Sequence, residues 1–532
     1  MKLNLHEIDF ICDKTKALAE SGKVAEAKKI ADKLDNAYPN NFTVSICLGY
    51  VCAIETNYHQ SIEYFLKAIH LEPHNFVAYN MISLPLIQSG KFLEALDYCN
   101  KGLDLKPDNV DLLGNKGNVL FRLFRYSEAI KCYKKIIELA PNFARAYVSI
   151  GNAYQLERKT KLAEQAFNRA LEIDPENYDA KLNLSTLYVA SGRYELAKKI
   201  YNNLIDAYPG ESTTYFYKAM LELNRGNYEE GFKLYEHRRM ESLKVVGNFT
   251  PPLWLGREDI SNKTILVIGE QGFGDHFQFA RYLIVLEGLG AKIVIELRSE
   301  LISIFKEMKC KFTIIKKGDS LPQFDFQCYF ASLPFIFKTN TKNIPNLIPY
   351  LFCNKDKSTL WAEKIGVNTK KRIGLAWSGS KAYENFDARS IPLKELVKIL
   401  NENFEFHSLQ IFYNDKDEKL LQGFESIKRH EKGIVDFLDT ASIINHMDLI
   451  ITIDTSIAHL AGALGKKTFL LLEKNPDWRW LNYGNKSLWY PSIKLFKQVE
   501  YGDWESVINE VFNELTKLTS SNSQVHHKSD KR

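Results

Sequence analysis

Two patterns of hydrophobic and polar positions divide this chain. From residue 8 to about residue 239, apolar residues recur at the spacing of amphipathic helices, and a proline closes every second helical pattern. Beyond that point, short apolar runs of strand length alternate with helical patterns. The change predicts a helical repeat array followed by an α/β region.

The helical pattern has a fixed period. Its closing prolines are 34 residues apart at every step, at Pro39, Pro73, Pro107, Pro141, Pro175 and Pro209. This period is that of helix pairs stacked into a superhelix. We therefore predict six helix pairs over residues 8–209 and a degenerate seventh pair over residues 212–239, which together form an array spanning residues 1–245.

Small residues stand where the two helices of a pair must approach each other. When each proline is counted as residue 32 of its repeat, the eighth residue is glycine in three repeats (Gly49, Gly117, Gly151), and the twentieth is alanine in five (Ala27, Ala95, Ala129, Ala163, Ala197). A large aromatic residue four positions later is expected to fill the gap to the next repeat. These positions resemble the tetratricopeptide repeat family, which implies a concave groove for a protein or peptide partner. A spacer or dimerisation arm is the alternative.

The second pattern predicts parallel sheets. Its apolar runs are short and separated by helices, which is typical of strands buried on both faces. They form two series, one at residues 265–268, 292–297, 312–315 and 325–329, and one at 372–377, 404–410, 449–453 and 468–472. We predict a linker over residues 246–261 with Trp254 exposed, two facing doubly wound domains over residues 262–355 and 356–519, and a disordered tail over residues 520–532.

Composition and charge restrict the class of protein. Hydrophobic residues make up 45% and charged residues 25% of the 532 residues, as in soluble globular proteins. The 70 basic and 65 acidic residues give a net charge of +5, which is too even to indicate a nucleic-acid partner. Eight cysteines without metal-ligand spacing, and the lack of a signal peptide or an apolar stretch of membrane-spanning length, favour a reduced cytoplasmic protein.

The first candidate loop follows the strand at residues 265–268. Gly272, Gly274 and Asp275 stand between that strand and a helical pattern, where backbone N–H groups suit an anionic ligand. Asp275 could instead simply cap the helix. A dinucleotide fingerprint is disfavoured because Phe277 occupies its third glycine position, although Glu296 at the end of the next strand keeps that interpretation open.

Two further loops carry polar groups at predicted strand ends. Ser378 and Gly379 follow the strand at residues 372–377 and lead to Arg389, which could bind a phosphate. Asp454, Thr455 and Ser456 follow the strand at residues 449–453 and begin a helix, a position suited to a diphosphate and sugar hydroxyls. A solvated loop and a simple helix cap are the respective alternatives.

Weaker signals have simpler explanations. Asp415 and Asp417 resemble the metal-binding acidic motif of some sugar transferases, but a helix start explains them as well. His276 and His459 could act as acid or base, yet a lone histidine near a helix start more often has a structural hydrogen bond. Gln410 ends the strand predicted at residues 404–410.

Taken together, these loops resemble the heptosyltransferase-like glycosyltransferases of family nine over residues 262–511. The segments PDWRWL at 476–481 and WYPSIKLF at 489–496 are similar to the subgroup that carries tetratricopeptide repeats. The resemblance implies a GT-B-type fold of two Rossmann-like domains, an acceptor-side domain and a nucleotide-sugar domain. It also implies metal-independent, inverting transfer from a nucleotide-diphosphate sugar to a glycan or protein acceptor.

The resemblance assigns roles to single positions. Asp275 matches the general base, and Arg389 takes the place of a basic residue that offsets the leaving diphosphate. The expected donor contacts are Gly272, Gly274, Ser378, Gly379, Asp454, Thr455 and Ser456. Neither a metal nor another cofactor is implied. The principal alternative is an inactive tetratricopeptide scaffold for protein–protein interaction, and a nicotinamide-dependent enzyme is a distant third.

Overall fold

The computed structural model describes residues 3–238, 251–270, 272–367, 369–379, 389–481 and 484–526. The chain forms two compact units, Met1–Pro209 and Gly210–Arg532. Among the described residues, no helix combines the length and apolar character that spanning a bilayer requires.

The first unit consists of antiparallel helix pairs at the predicted period. Its helices are α1 (Leu5–Glu20), α2 (Val24–Ala37), α3 (Phe42–Ile54), α4 (Tyr58–Leu71), α5 (Phe76–Gln88), α6 (Phe92–Leu105), α7 (Val110–Arg122), α8 (Tyr126–Leu139), α9 (Ala144–Leu156), α10 (Thr160–Ile173), α11 (Tyr178–Ala190) and α12 (Tyr194–Ala207). The second helix of each pair ends two residues before the periodic proline, as with Ala37 and Pro39. The prediction of six helix pairs is confirmed.

Glycine and aromatic residues of one repeat fit directly against each other. A Cβ at Gly49 would lie 2.6 Å from the Phe65 ring, and one at Gly151 would lie 2.4 Å from the Phe167 ring. The aromatic ring therefore covers the glycine of its own repeat, in addition to reaching the next repeat as predicted. The alanines at the twentieth position are fully buried.

The seventh helix pair belongs to the second unit. Its helices α13 (Ser212–Asn224) and α14 (Tyr228–Tyr235), followed by a 3₁₀ turn over Glu236–Arg238, lie in Gly210–Arg532. Tyr228 and Phe232 pack their rings against Trp478 and Trp489. This pair therefore packs its aromatic face against the α/β residues of its own unit. The predicted array boundary at residue 245 stays a prediction.

Two parallel sheets form the rest of this unit. The first has the order β3-β2-β1-β4, and the second has the order β10-β9-β8-β5-β6-β7. The strands are β1 (Thr264–Ile268), β2 (Lys292–Leu297), β3 (Phe312–Lys316), β4 (Phe326–Tyr329), β5 (Lys371–Ala376), β6 (Phe404–Ser408), β7 (Ile427–Lys428), β8 (Leu449–Ile453), β9 (Thr468–Leu472) and β10 (Ile493–Lys497). Strands β7 and β10 were not predicted, because β7 is only two residues long and two lysines interrupt the apolar residues of β10.

Helices cover both sheets and share one core. They are α15 (Phe273–Phe279), α16 (Arg281–Gly288), α17 (Ser299–Phe305), α18 (Leu333–Ile336), α19 (Lys355–Ile365), α20 (Leu393–Leu396), α21 (Asp415–Leu421), α22 (Phe437–Asn445), α23 (Ser456–Ala463) and α24 (Trp504–His526). One cluster of buried residues joins α15 and α17 of the first sheet to α22 and α23 of the second. The two sheets thus form a continuous unit.

Two predictions, one about the linker and one about the C-terminal boundary, differ from the structure. Trp254, expected to be exposed in the linker, is buried, and its indole N–H donates to the Glu258 carbonyl at 3.0 Å. Helix α24 continues to His526, past the boundary predicted at residue 519. In the predicted linker, residues 246–250 lie outside the described part of the chain, as do residues 527–532 of the predicted disordered tail.

Candidate functional site

The strand orders create one switch point in each sheet. Strand β1 lies between β2 and β4, and strand β5 lies between β6 and β8. At such points the chains leaving two neighbouring strands run in opposite directions, which opens a crevice at the carboxyl edge of the sheet. The predicted site residues follow β1, β5 and β8, so the candidate site is built at these edges.

The loop after β1 brings Asp275 to an arginine that is distant in the sequence. Gly272 is the N-cap of α15, and Asp275 lies in the first turn of that helix. Asp275 Oδ1 accepts a hydrogen bond from Arg479 Nη2 at 2.5 Å. The Asp275 side chain is 27% exposed and can be reached from solvent.

The glycines of this loop have a packing role. A Cβ at Gly274 would lie 2.7 Å from His459 Cδ2 on α23, and one at Gly272 would lie 2.8 Å from Asp275 Oδ2. Both positions therefore exclude a side chain, one because the two sheets' helices meet there and the other because Asp275 folds back over it. Their predicted role in donor binding stays a prediction.

The loops after β5 and β8 adjoin each other. A Cβ at Gly379 would lie 3.5 Å from Thr455 Cγ2, which places the two loops in van der Waals contact. Ser378 is fixed by Gln410 at the end of β6, since Ser378 Oγ accepts from Gln410 Nε2 at 2.7 Å and the Ser378 N–H donates to Gln410 Oε1 at 3.3 Å. Residues 380–388 of the predicted phosphate segment lie outside the described residues.

Asp454 and Arg389 face each other across this crevice. Asp454 Oδ2 lies 3.9 Å from Arg389 Nη1. Burial, followed by the negative charge of Asp477, raises the pKa of the Asp454 carboxyl above its ordinary value. Helix α23 takes Thr455 as its N-cap, so Asp454 is not the simple cap that the alternative proposed. Ser456 opens the helix, where its backbone N–H is free of an intrahelical partner.

Two charged residues of the site were missed by sequence reasoning. Asp477 and Arg479 lie in the loop after β9, and Arg479 Nη1 donates to Asp477 Oδ1 at 2.8 Å. Burial acts to raise the pKa of Asp477, but the charges of Arg479 and Arg389 outweigh it, and the pKa is lowered. The sequence could have indicated these two residues, because their loop, like the predicted ones, follows the carboxyl end of a buried strand.

The seventh helix pair supports this loop. The Arg479 guanidinium lies 4.4 Å from the centre of the Trp478 ring, and that ring packs against Tyr228 and Phe232 of α14. Asn224 Nδ2 on α13 also donates to the Pro476 carbonyl at 3.3 Å. A helix pair that sequence reasoning assigned to the repeat array thus holds site residues in place.

Buried polar atoms without a hydrogen-bond partner gather around the site. They include His276 Nε2 and Gln278 Nε2 on α15, and Ser390 Oγ beside Arg389. Buried polar groups in folded proteins are nearly always paired, and exceptions concentrate where a ligand or water completes the bonding. Their position is consistent with a binding site.

Several predicted alternatives do not fit the geometry. Asn414 accepts from the Lys416 and Asp417 N–H groups, and Asp417 Oδ2 accepts from Trp377 Nε1 at 3.0 Å, so these acids form a helix start. Among the described residues, no group of three or more His, Cys, Asp or Glu side chains is arranged to hold a metal ion. Phe277, which occupies the third glycine position of a dinucleotide fingerprint, is fully buried against Phe437.

The two histidines considered as acid or base have structural contacts. His276 Nδ1 lies 2.7 Å from the Gly272 carbonyl oxygen, and burial lowers the pKa of His276. His459 Nδ1 lies 3.0 Å from Tyr490 Oη, and burial lowers the pKa of His459 to about 3. Both rings are held by their surroundings in the folded unit.

The sequence of the array matches a known repeat family. Two tetratricopeptide repeat profiles match residues 110–143 and residues 156–223. Protein FlbA of Caulobacter vibrioides is 25% identical over 318 residues, which are 54% of this chain and 52% of FlbA. The chain therefore spans about half the length of this curated relative.

Solved structures resemble the array. A crystal structure of MamA is 24% identical and covers 33% of this chain and 98% of MamA, with a TM-score of 0.29. YrrB, described as a tetratricopeptide protein with an unusual peptide-binding site, is 19% identical and covers 32% of this chain and 88% of YrrB, with a TM-score of 0.28. A tetratricopeptide repeat protein from Parabacteroides merdae is 16% identical over 45% of this chain and 93% of its own, with a TM-score of 0.39. The profile matches and the 34-residue period together identify the helix pairs of the array as tetratricopeptide repeats, a structure typical of protein–protein interaction.

Proposed function

We propose that this chain is a glycosyltransferase with a GT-B-type α/β unit, and that the tetratricopeptide array recruits the acceptor or an assembly partner. The observation that carries the proposal is the meeting of the β5 and β8 loops at a switch point, where Gly379 adjoins Thr455 and Arg389 faces Asp454. Such a crevice is the usual ligand site of a doubly wound sheet.

The residues of this crevice suit a nucleotide-diphosphate sugar. Arg389 and the N–H groups at the start of α23 supply positive charge for the diphosphate without a metal ion. The small residues Ser378 and Gly379 allow their backbone to approach the diphosphate closely. Asp454 accepts hydrogen bonds from sugar hydroxyls. Gly272 and Gly274 shape the loop on the side of the first sheet.

Asp275 is the proposed general base. It removes the proton of an acceptor hydroxyl, whose oxygen forms a bond to the anomeric carbon as the bond from that carbon to the diphosphate oxygen breaks. Attack opposite the leaving group inverts the configuration. The leaving diphosphate takes the negative charge, which Arg389 offsets. The acceptor is a glycan or protein side chain, and a cytoplasmic location fits a nucleotide-sugar donor.

One contact favours a second candidate. Asp275 Oδ1 is already hydrogen-bonded to Arg479 at 2.5 Å, so one of the oxygens that a general base would offer to the acceptor hydroxyl is occupied. If this ion pair persists with ligand bound, the α/β unit binds without catalysing, and the chain is a scaffold for protein–protein interaction. Asp275 can act as the base in two ways. A bound ligand displaces the Arg479 guanidinium from Oδ1, or the acceptor hydroxyl gives its proton to Oδ2.

Donor binding is the first test. The full chain is titrated by calorimetry and thermal shift, in EDTA, with UDP-glucose, UDP-N-acetylglucosamine, GDP-mannose, ADP-glucose and dTDP-rhamnose. Saturable binding is expected with one of them, and Arg389→Ala and Asp454→Ala should each weaken it by about tenfold or more because a charged contact is lost. Asp415→Asn, on the rejected acidic motif, is the matched control and should bind as the wild type does.

Catalysis is tested separately by release of free nucleoside diphosphate from the donor that binds. Asp275→Asn should keep the donor affinity and lower the rate at least a hundredfold, the usual size of a general-base contribution. Donor binding with no release in any condition would favour the scaffold. Absence of binding by every nucleotide sugar, with or without Mg²⁺, would refute the glycosyltransferase proposal.

A further inference from the structure

The seventh helix pair ends in an arginine that lies at the carboxyl edge of the first sheet. Arg238 closes the 3₁₀ turn that follows α14, and its side chain is 11% exposed. Its guanidinium donates two hydrogen bonds to Glu270, from Nε to Oε1 at 2.8 Å and from Nη2 to Oε2 at 3.0 Å. Glu270 comes two residues after β1, at the switch point between β1 and β4. The paired hydrogen bonds fix both the distance and the orientation of the two side chains.

All five N–H groups of this guanidinium have an acceptor. Besides the pair with Glu270, Nη2 donates to Ser332 Oγ at 3.1 Å. Nη1 donates to Glu236 Oε1 at 2.9 Å and to the Tyr235 carbonyl at 3.1 Å. Because Ser332 follows β4, one side chain joins the end of the helix pair to the segments that leave both β1 and β4. A largely buried charge whose donors are all satisfied favours one geometry, since another would leave polar groups unpaired.

The helix that carries Asp275 is held from a second side. Arg479, in the loop after β9, donates from Nη2 to Asp275 Oδ1 at 2.5 Å and from Nε to Gln278 Oε1 at 2.7 Å. Both acceptors lie on α15, which begins shortly after Glu270. Glu270 Oε2 also accepts from the Ala331 N–H at 3.1 Å. Two arginines thus hold the start of α15, one from the second sheet's loop and one from the seventh helix pair.

A tyrosine of the helix pair is close to the same charges. The Arg238 guanidinium lies 4.4 Å from the centre of the Tyr235 ring, at the end of α14. Burial raises the pKa of Tyr235 to about 12, and the charges of Asp275 and Arg479 also act on its hydroxyl, in opposite directions. The end of the helix pair is therefore near the proposed base as well as near the loop that precedes it.

We propose that Arg238 is a positioning residue for the transfer reaction. Through Glu270 it fixes the segment between β1 and α15, and so keeps the Asp275 carboxylate where an acceptor hydroxyl can reach it. The inference rests on the proposed function, and it makes the seventh helix pair part of the transferase site. A displacement of the base by about 1 Å costs on the order of a hundredfold in rate. Donor binding at the second sheet does not depend on this position.

The test separates donor binding from catalysis in the full-length chain. The probe is whichever of UDP-glucose, UDP-N-acetylglucosamine, GDP-mannose, ADP-glucose and dTDP-rhamnose the wild type binds, with water as the acceptor. Arg238→Gln should slow the release of nucleoside diphosphate by about tenfold or more and leave the dissociation constant of the donor within about twofold. Lys233→Gln, which removes an exposed cation of α14, is the matched control and should equal the wild type in both measurements.

A double-mutant cycle tests whether Arg238 acts through the base. In the Asp275→Asn background, Arg238→Gln should slow the residual release by less than about twofold, because the carboxylate that it positions is already gone. A residue that only stabilises the fold would cost the same factor in both backgrounds, and that result would overturn the inference. A wild-type rate in Arg238→Gln, or a loss of donor affinity as large as the loss of rate, would overturn it as well.

A second variant guards against a folding effect. Thermal unfolding is measured for each variant, and if Arg238→Gln does not fold, Glu270→Gln weakens the same ion pair from its other side and is judged by the same criteria. If the wild type releases nucleoside diphosphate and these criteria are not met, only the inference fails. If the wild type binds a donor without releasing diphosphate, or binds none, the proposed function fails and the inference fails with it.

Discussion

The repeat array and the α/β unit are stabilised by contacts between residues at different separations along the sequence. In the array, the contacts that matter join residues of the same or the next repeat, as when the Phe65 ring covers Gly49. In the α/β unit, Asp275 and Arg479 meet although they are 204 residues apart in the sequence. Local contacts repeat with the sequence period, whereas long-range contacts are set by sheet topology.

The difference also separates the chemistry of the two regions. The array buries alanine, glycine and aromatic side chains, and its core clusters are apolar. The α/β unit buries Arg281, His407 and His459 within its interior. We expect the stability of the α/β unit to depend on polar groups and on pH, and that of the array to depend on backbone fit.

The largest expected effect concerns the buried arginine of the α/β unit. Arg281 donates to the Trp489 and Pro345 carbonyls and to Tyr350 Oη, at 2.9, 3.2 and 3.1 Å. Arg281→Ala should cost about 3–5 kcal/mol, because it leaves buried acceptors unpaired and opens a cavity. Denaturant unfolding measures the loss, and hydrogen exchange assigns it to a region.

The matched control for this variant is Arg257→Ala. Arg257 is exposed, so its removal should change the free energy of unfolding by about 0.5 kcal/mol or less. Amide protection over residues 5–207 should be the same in both variants and in the wild type. Equal loss of protection in the array and the α/β unit would mean that the two units do not unfold separately.

A smaller effect on the free energy of unfolding is expected when the pH is lowered. Burial lowers the pKa of His407 from its ordinary 6.5 to about 4, although Glu405 acts in the opposite direction. Below about pH 6.5 the unfolded chain binds this proton and the folded chain does not, so stability falls as the pH drops and levels off below pH 4. The loss is about 3 kcal/mol by linkage.

This dependence should be confined to the α/β unit. His407 Nδ1 lies 2.9 Å from His430 Nε2, and Glu405, which accepts from Lys428 at 2.9 Å, also contacts His407 Nε2 at 2.7 Å. Unfolding followed at pH 7 and pH 4 should show weakened protection around β6, and His407→Gln should flatten the profile. His59→Gln, at an exposed position of the array, is the control and should leave the profile unchanged.

The smallest expected effect concerns the turn between the helices of a repeat. One position per period is left-handed, with φ values of 87° at Gly22, 73° at Gly90 and 62° at Thr56. Thr56→Gly should stabilise the array by about 1 kcal/mol because it removes the strain of a β-branched residue in this region. Urea titration measures the shift.

Gly22→Ala is the reverse variant at the same position of another repeat. A Cβ there would meet nothing within 4 Å, so only the backbone conformation is affected. It should destabilise the array by about 1 kcal/mol. A change of the same sign in both variants would show that contacts outside the turn control this position.

Much of the fold could be predicted from the sequence. The prolines gave the helix pairs because each ends a helix at a fixed spacing, and the apolar runs gave eight of the strands because strands buried on both faces need such runs. Strand β10 was missed because two lysines interrupt the apolar residues of its sequence, IKLFK. The seventh helix pair was assigned to the array because the helical pattern continues through it, although it lacks a closing proline. The sequence could not show that Tyr228 and Phe232 of this pair pack against Trp478 and Trp489.

The candidate site was only partly predictable. Asp275, Arg389 and Asp454 were predicted as site residues because they follow strands at their carboxyl ends, where ligands bind in such folds, and their roles stay predictions. Asp477 and Arg479 follow β9 in the same way, but their loop contains no glycine or hydroxyl cluster to mark it. The partner of Asp275 could not be predicted, because that contact joins the two sheets.

The sequence by itself determined the repeat period, the order of helices and strands, and which loops stand at strand ends, since all of these depend on neighbours along the chain. The tertiary structure decided which helix pair joins the α/β unit, which acid meets which arginine, and which buried donors stay unpaired. Those features depend on groups far apart in the sequence, and only the packing of two sheets into one unit brings them within hydrogen-bonding distance.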